Sequence, residues 1–276
     1  MLAPGSTFAG YEVESVVGAG GIGILYRARQ VRLDRPVALK LVEPDVARDP
    51  VIRERLRREA RMVAALDHPN VVPLYEAGEE GGTVFIATRW VDGTELGTLI
   101  QDHGPLEPGR AARTAAQIAA ALQVAHEKEL VHRDVKPSNV ILTSEDHVYL
   151  TDFGLAKRAG TAAGLTGVDQ MLGTVDYVAP EQIEGSEPDA RGDVYSLGCV
   201  LFEMLAGEPP FAAQRGGMAK MWAQVNAEVP SIREHRPDVS PALEDVMRRA
   251  MAKAPDARPT AAAFRAAVLA AIGEAR

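Results

Sequence analysis

The spacing of apolar residues changes near Gly93, and this change limits most strongly what the chain can fold into. Before it, short apolar runs alternate with polar residues or are continuous, as in an antiparallel sheet; they lie at 11–17, 24–29 and 36–42. After it, apolar residues follow a helical period, at 110–127, 193–205, 241–252 and 260–276. The 276 residues suffice for two cores. The sequence predicts an α+β protein with a mainly β first lobe, a mainly α second lobe and a ligand cleft between them.

Composition and charge argue against several classes of protein. Hydrophobic residues make up 46% and charged residues 25% of the chain, which is typical of a globular protein. The net charge of -8 argues against nucleic acid as the main partner. The sequence contains neither an apolar run long enough for a membrane segment nor a signal peptide, so we expect a cytoplasmic location. The single Cys199 cannot form an internal disulfide, and its apolar neighbours predict burial.

Four polar side chains within residues 132–154 have the chemistry of phosphoryl transfer. Asp134 can accept the proton of an attacking hydroxyl, and Lys136 is a point charge suited to the transferred phosphoryl group. Asn139 and Asp152 offer the hard oxygen ligands that Mg²⁺ prefers. These residue types predict ATP and Mg²⁺ as cofactors, with Mn²⁺ as an alternative metal.

The motifs that contain these residues resemble those of the protein kinase superfamily. They are His-Arg-Asp-Val-Lys-Pro-Ser-Asn at 132–139 and Asp-Phe-Gly at 152–154, against the family patterns HRDxKxxN and DFG. Lys136 at that spacing is similar to the Ser/Thr-specific branch. The resemblance implies the bilobal protein kinase fold, with a small antiparallel β lobe, one key helix in it, and a larger helical lobe. It also implies transfer of the γ-phosphoryl group of ATP to Ser and Thr hydroxyls of protein substrates.

A glycine-rich segment between the first two predicted strands adds a phosphate-binding element. Its glycines let backbone amides approach phosphates closely. A dinucleotide-binding fold would begin a helix directly after the glycines, whereas a strand follows here, as in the kinase hairpin. The resemblance implies nucleotide contacts from Val17, Gly18, Ala19, Gly20, Gly21, Ile22, Gly23, Ile24 and Leu25. In that alignment Leu25 covers adenine.

A lysine and a glutamate are matched to the ion pair of active kinases. Val-Ala-Leu-Lys at 37–40 resembles the family's VAIK strand, which implies that Lys40 holds the α- and β-phosphates. Glu59 matches the helix glutamate that pairs with this lysine. An exposed pair of Glu59 with Arg55 or Arg58 is the alternative interpretation.

The segment after the last predicted strand of the first lobe resembles the kinase hinge. In that alignment Thr88 is the gatekeeper, and the main chain of Arg89 and Val91 faces adenine. Ala38 and Ile141 would form the apolar surfaces on the two sides of the base. Arg89 replaces an acidic residue common there, but the implied contact uses the main chain.

Residues 152–181 correspond to the activation segment. Its middle is rich in Gly and Ala, and long loops of this kind are often functional. Thr166 is the preferred phosphate acceptor and Thr161 the second; a phosphate there could pair with Arg133 and order the segment. By resemblance, Thr174 faces the substrate residue and bonds the catalytic loop. An ordinary loop threonine is the alternative for Thr161 and Thr166.

Two further matches predict structural contacts in the second lobe. Asp193 resembles the helix residue that anchors the catalytic loop, and Arg258 resembles the partner of Glu181. A buried arginine and carboxylate would form a fork-shaped pair.

The resemblance extends from residue 11 to residue 272. The segments Gly-Gly-Ile-Gly at 20–23, Asp-Arg-Pro-Val-Ala at 34–38 and Ala-Pro-Glu-Gln at 179–182 resemble the eukaryotic-like Ser/Thr kinases of bacteria. The resemblance implies a first lobe at 11–88, a hinge at 89–93 and a second lobe at 94–272, with residues 1–10 as an extension. Many members of that group continue into a membrane helix and a sensor, so a cytosolic part of a longer membrane-anchored kinase is one expectation and a cytoplasmic kinase the other. Relatives also suggest a homodimer through the first lobe. The rival functions are a pseudokinase scaffold and a small-molecule phosphotransferase.

Overall fold

The computed structural model describes residues 1–20, 23–42, 50–153, 175–187 and 189–273. The chain folds into two compact units. The first contains Met1–Asp67 and Val71–Asp92. The second contains His68–Asn70, Gly93–Phe153 and the described residues from 175 onward.

The first unit is built on an antiparallel sheet. Within the described ranges it has six strands in the order β1-β2-β3-β4-β6-β5, and their bounds are β1 (Thr7–Phe8), β2 (Tyr11–Gly20), β3 (Gly23–Gln30), β4 (Arg35–Val42), β5 (Leu74–Glu80) and β6 (Thr83–Arg89). The predicted strands at 11–17, 24–29 and 36–42 are confirmed, and each is longer than predicted. Every neighbouring pair of strands is antiparallel. Strands β1 to β4 follow one another as a meander, whereas β6 lies between β4 and β5 in the sheet.

One face of this sheet is an apolar core. Side chains two residues apart lie on the same face of a strand, and Val37 and Leu39 of β4 are completely buried on the core face. Phe8 and Tyr11 pack edge-on against Phe85 at centroid distances of 5.8 and 5.9 Å. The intervening residues of β4 therefore lie on the opposite face.

Residues 1–10 pack on the sheet, although the sequence pattern assigned no structure to them. The N–H of Gly5 donates to the carbonyl oxygen of Val13 at 2.8 Å, and the N–H of Leu2 donates to the hydroxyl of Tyr26 at 2.9 Å. These contacts join the beginning of the chain to the first core.

Helix α1 (Pro50–Ala64) lies between β4 and β5 in the sequence and buries Leu56, Ala60 and Val63. Their spacing of three and four residues is that of an amphipathic helix. On its outer side Arg53 and Arg57 form ion pairs with Glu79 of β5, at 3.4 and 3.1 Å. The side chain of Arg55, an alternative partner of Glu59, lies outside the described residues.

The second unit is mainly helical. Its described helices are α2 (Leu96–His103), α3 (Pro108–Glu127), α4 (Pro180–Ile183), α5 (Ala190–Ala206), α6 (Gly217–Asn226), α7 (Ile232–His235), α8 (Pro241–Ala250) and α9 (Ala261–Gly273). Helix α3 packs against α5 and α9. Its many buried alanines allow this close approach, because a small side chain keeps neighbouring backbones near one another. No described helix has both the length and the apolar character needed to cross a membrane.

Helix ends in this unit follow from capping side chains. Glu107 accepts from the N–H groups of Gly109 and Arg110, and Asp189 accepts from Arg191. Helix α5 therefore begins three residues before its apolar pattern, which predicted a start at Asp193. The helical pattern that begins at residue 260 is confirmed by α9, and the Thr260 hydroxyl caps this helix by accepting from the N–H of Ala263 at 3.2 Å.

A small sheet of β7 (Thr94–Glu95), β8 (Val140–Leu142) and β9 (Val148–Leu150) completes the second unit. In its register Val140 is opposite Leu150. The residues just outside this pair, Asn139 and Thr151, are therefore adjacent, and the N–H of Thr151 donates to the carbonyl oxygen of Asn139 at 2.9 Å. This hairpin sets the position of the candidate site.

Candidate active site

Asp193 of α5 holds the backbone of the catalytic loop. Its two carboxylate oxygens accept from the N–H groups of His132, at 2.8 Å, and Arg133, at 2.7 Å. Asp193 is 1% exposed, so these charge-assisted bonds compensate a buried carboxylate. Arg133 has φ 67°, a left-handed conformation that costs energy for a side chain with a Cβ. The predicted anchoring role of Asp193 is confirmed.

A third donor to Asp193 was missed by the sequence analysis. His126, in the last turn of α3, places its ring Nε2 2.8 Å from Asp193 Oδ2. The histidine lies in a helical pattern, and 67 residues separate it from its partner. No local signal reveals such a contact.

The His132 ring is completely buried, and its hydrogen bonds determine which ring nitrogen carries the proton. Its Nε2 lies 2.8 Å from the carbonyl oxygen of Thr151, which can only accept, so Nε2 carries the proton. Nδ1 then accepts from the N–H of Asp134 at 3.3 Å. Burial lowers the pKa of His132, consistent with a neutral ring. The ring also packs on Phe153, with 4.6 Å between centroids, so His132 joins the two motifs.

Asp134, Lys136 and Asn139 form one cluster. Lys136 Nζ lies 2.9 Å from Asp134 Oδ2, and the amide nitrogen of Asn139 donates to the main-chain oxygen of Asp134 at 2.7 Å and to its Oδ2 at 3.1 Å. The Asp134 and Lys136 side chains are 14% and 23% exposed. The structure thus brings together three of the four residues predicted for phosphoryl transfer, with a carboxylate oriented by two neighbours.

The fourth residue, Asp152, follows the end of β9 by two positions and has φ 54°. Glu95 of β7, directly opposite Ile141 in the register, was not predicted as a site residue. Burial and then the negative charge of Asp152 raise the pKa of Glu95. The two carboxylates are therefore close enough to interact, and Glu95 adds a polar group beside Ile141.

The chemistry of Asn139 and Asp152 fits Mg²⁺. The amide nitrogen of Asn139 is used for both bonds to Asp134, which leaves its amide oxygen as the atom for a cation, and Asp152 supplies a carboxylate. Among the described residues, no group of three or more His, Cys, Asp or Glu could hold a metal. Two protein ligands are what Mg²⁺ needs when phosphate and water complete an octahedral shell.

In the first unit, four of the predicted nucleotide residues share the sheet face opposite the core. Lys40 is paired with Leu25 on one side and Ile86 on the other, and Ala38 is paired with Thr88. Directly paired residues and residues two apart lie on one face. All five are therefore on this face. Glu59 lies on α1 next to buried Ala60, and its pairing with Lys40 stays a prediction.

The described part of the glycine-rich segment belongs to the paired strands β2 and β3. Gly20 is paired with Gly23, followed outward by Ala19 with Ile24 and Gly18 with Leu25. A strand therefore follows the glycines, as predicted. Gly23 has φ 152°, and a Cβ there would collide with the carbonyl oxygen of Leu41. Gly21 and Ile22 lie outside the described residues.

The predicted hinge begins at the end of β6. The N–H of Arg89 donates to the carbonyl oxygen of Pro73 at 3.0 Å, so an adenine contact by Arg89 would have to use its carbonyl oxygen. Trp90 bonds Asp92 through its indole N–H at 2.9 Å and is covered by the guanidinium of Arg27, 5.0 Å from the ring centre. The predicted phosphate acceptors Thr161 and Thr166, and Thr174, lie outside the described residues.

Comparison with known proteins settles the family. The model of the protein kinase domain matches residues 11–268. The chain belongs to the protein kinase family. It is 40% identical over 254 residues to the serine/threonine-protein kinase PknH of Mycobacterium bovis, covering 92% of this chain and 42% of the relative. It is 42% identical over 263 residues to PknB of Mycolicibacterium smegmatis, covering 93% and 42%.

The kinase fold is supported by solved structures as well. The kinase domain of PknI from Mycobacterium tuberculosis aligns with a TM-score of 0.80 and 32% identity, covering 99% of this chain and all of that one. The predicted α+β protein kinase fold is confirmed. The kinase chain spans about two fifths of the length of the curated relatives it matches.

Two other predictions of the sequence analysis concern the support of the kinase site. Arg258 forms the predicted fork with Glu181, at 2.6 and 2.7 Å. Cys199 is completely buried, and burial raises the pKa of its thiol. Both predictions are confirmed.

Proposed function

We propose that this chain is the catalytic domain, residues 11–272, of a Ser/Thr protein kinase that transfers the γ-phosphoryl group of ATP to protein hydroxyls. The cluster of Asp134, Lys136 and Asn139 carries the proposal, because a carboxylate is held beside a cation and a metal-binding amide. The relatives named serine/threonine-protein kinases support the substrate class.

In the proposed reaction, the acceptor hydroxyl donates its proton to Asp134 while its oxygen attacks the γ-phosphorus and the bond to ADP breaks. Lys136, which pairs with Asp134, stabilises the charge of the γ-phosphate. Lys40 orients the α- and β-phosphates. Asn139 and Asp152 would hold Mg²⁺, which would supply positive charge against the phosphates; Mn²⁺ is the alternative metal.

Incubation of the purified chain with [γ-³²P]ATP, Mg²⁺ and a basic acceptor protein tests this. We expect label in the acceptor, and a loss of about 10²–10⁴-fold in Asp134→Asn, which keeps the shape but not the base. Asp146→Asn is the matched control, because that carboxylate pairs with Arg110 at an exposed turn, and it should keep the parent rate. An unlabelled acceptor with the parent, or equal rates for the parent and Asp134→Asn, supports the pseudokinase scaffold instead.

We also propose activation by autophosphorylation, first at Thr166 and second at Thr161. The position of Arg133, whose main chain is fixed by Asp193, supports a phosphate contact beside the base. Peptide mapping after incubation with ATP should find phosphate on Thr166, and Thr166→Ala should lower the rate. A fully active chain with unmodified threonines contradicts this.

For assembly we propose a homodimer through the first unit. Val31 and Leu33, at the turn between β3 and β4, are 56% and 63% exposed, and exposed apolar side chains favour contacts between chains. Sedimentation over a concentration series should show a dimer that Leu33→Asp weakens. Val51→Asp, at another exposed apolar residue of the same unit, is the control.

For location we propose the cytoplasm. If the protein is longer, we propose that this chain is the cytosolic part of a membrane-anchored kinase.

A further inference from the structure

The short helical turn Val175–Tyr177 is held by α5 through both its main chain and its tyrosine. The Ser196 hydroxyl donates to the carbonyl oxygen of Tyr177 at 2.7 Å. The Tyr177 hydroxyl donates to the carboxylate of Glu203 at 2.6 Å. Both partners are on one helix, so this end of the turn has a fixed position on α5.

Helix α6 holds the other end of the turn through Gln224. Its side-chain amide nitrogen donates to the carbonyl oxygens of Val175, at 3.1 Å, and Asp176, at 2.6 Å. Its amide oxygen accepts from the hydroxyl of Tyr195 at 2.5 Å. Because carbonyl oxygens only accept, these partners determine which way the amide points.

Gln224 is unusual in being a completely buried amide. A buried amide costs free energy unless it is hydrogen-bonded, and a leucine would fill the same volume without that requirement. Its polar atoms are all directed at the turn or at Tyr195. The main chain of Gln224 is fixed as well, since its carbonyl oxygen accepts from Lys253 Nζ at 2.7 Å.

Lys220, one helical turn before Gln224, neutralises the only carboxylate of the turn Val175–Tyr177. Its ammonium donates to Asp176 Oδ2 at 2.8 Å and lies 2.7 Å from Oδ1. Oδ1 has no hydrogen bond of good geometry, so its attraction to the ammonium is electrostatic alone. Asp176 is 8% exposed, and without Lys220 its charge would be buried and uncompensated.

We infer that Gln224, assisted by Lys220, is a positioning residue for the protein acceptor. This rests on the proposed function, and on the resemblance to protein kinases, which implies that Thr174, the residue directly before the turn in the sequence, faces the acceptor. Gln224 fixes the direction of two successive carbonyl groups, and with them the course of the chain from Val175 to Tyr177. It acts through the turn and does not contact the reacting atoms.

The contacts of the catalytic loop are separate from those of Gln224. Asp193 binds the main chain of His132 and Arg133, and none of the hydrogen bonds of Gln224 involves residues 132–139. A change at Gln224 should therefore alter the use of the acceptor and leave the use of ATP as it was.

Steady-state kinetics of Gln224→Glu test this role. Glutamate keeps the size and the oxygen that accepts from Tyr195, but it places a second oxygen against two carbonyl groups. We expect the KM for a Ser/Thr peptide acceptor to rise about tenfold or more. The KM for ATP and the slow hydrolysis of ATP without acceptor should stay within about twofold of the parent. Asn226→Asp, the same change at an exposed position of α6, is the control and should match the parent.

A second pair of variants keeps the test decisive if Gln224→Glu does not fold. Lys220→Met should also raise the acceptor KM, because it leaves the Asp176 carboxylate buried without a cation. Adding Asp176→Asn to Lys220→Met should restore the KM to within about threefold of the parent.

The outcomes separate this inference from the proposed function. An active parent whose variants show an unchanged acceptor KM contradicts the role of Gln224. Parallel losses in acceptor KM, ATP KM and ATP hydrolysis also contradict it, since they indicate a general structural defect. A parent that transfers no phosphate to any acceptor contradicts the proposed function itself.

Discussion

Arg258, at the scale of single residues, shows how a charged side chain can be completely buried. All five of its guanidinium hydrogens have acceptors. Two bonds go to the Glu181 carboxylate, and three go to main-chain oxygens of Ala252, Arg191 and Lys253. The carboxylate supplies the opposite charge, and the carbonyl groups accept the remaining guanidinium hydrogens of Arg258. The start of α4 is thereby joined to the segment before α9.

Glu181→Gln should destabilise the second unit strongly. The substitution keeps the shape but leaves the Arg258 charge buried without a counter-ion, at a cost of roughly 3–5 kcal/mol. Urea unfolding of the parent and Glu181→Gln measures this loss in the free energy of unfolding. Asp245→Asn is the control, because its pair with Arg249 is 64% and 60% exposed and should contribute less than about 1 kcal/mol. Equal shifts of the two midpoints would contradict the importance of the buried pair.

Gly23→Ala should destabilise the first unit, because the position combines a positive φ with a collision between the added Cβ and the oxygen of Leu41. We expect a loss of about 1–3 kcal/mol in the free energy of unfolding. Gly18→Ala, in the same hairpin, is the matched control, since no atom lies within 4 Å of its added Cβ. If both variants are equally stable, backbone strain at Gly23 is not the reason for glycine.

At the scale of elements, α5 is the organising helix of the second unit. Within three turns it provides Asp193 for the catalytic loop, Ser196 for the turn Val175–Tyr177 and Glu203 for Tyr177. Its apolar residues from Val194 to Leu205 are almost entirely buried. A helix that is buried on all sides positions polar side chains with little freedom. That rigidity makes it suitable for holding two functional segments at once.

The Glu203 carboxyl should make stability depend on pH. Burial, and secondarily the charge of Asp176, raise its pKa to about 7, although the bond from Tyr177 acts in the opposite direction. Between the ordinary value of 4.5 and about 7, the folded protein keeps a proton that the unfolded chain releases. The contribution of Glu203 to the free energy of unfolding is therefore greatest below pH 4.5. It falls as the pH rises from 4.5 to about 7, by up to about 1.4 kcal/mol per pH unit.

Urea unfolding of the parent and Glu203→Gln across pH 4.5–7 measures this contribution. The difference between the two proteins should change with pH in that interval and become constant above it. The lowered pKa of His132 acts in the opposite direction but is present in both proteins, so it cancels. A pH-independent difference would show that Glu203 has an ordinary pKa.

At the scale of the whole molecule, the candidate residues are divided between the two units. The first unit contributes a sheet face with Leu25, Ala38, Lys40 and Thr88, and the second contributes the loop with Asp134. Each set is organised inside its own unit by strand register or by hydrogen bonds from α5. Folding of each unit therefore prepares its own part of the kinase chemistry.

ATP with Mg²⁺ should stabilise the parent chain, and Lys40→Met should remove most of this effect. At a nucleotide concentration about 100 times Kd, binding adds about 2.7 kcal/mol to the free energy of unfolding. Thermal unfolding with and without nucleotide measures it. Lys128→Met, at the end of α3, is the control and should keep the parent's shift. Equal shifts for Lys40→Met and the parent would contradict phosphate binding by Lys40.

The sequence alone was informative where the signal is local. Alternation predicted β2, β3 and β4, and the helical period from residue 260 predicted α9. Helix α6 was missed because its pattern is inverted: Met218 and Trp222 are 78% and 62% exposed, whereas Gln224 is completely buried. A periodicity search expects the opposite arrangement.

Motif chemistry also belongs to what the sequence determined by itself. Asp134, Lys136, Asn139 and Asp152 are identified by residue type and spacing, because they lie on one short loop and just after one hairpin. Similarly, the face carrying Lys40 follows from strand alternation. Such inferences need only the local course of the chain.

Only the tertiary structure decided which distant groups support that chemistry. His126 and Asp193 are 67 residues apart, and Gln224 and the turn it holds are nearly 50 apart. Their hydrogen bonds depend on how α3, α5 and α6 pack, and a buried polar side chain has no period that reveals its partner. The physical reason is that packing selects these pairs after the apolar faces have come together, when every buried polar group must find a partner.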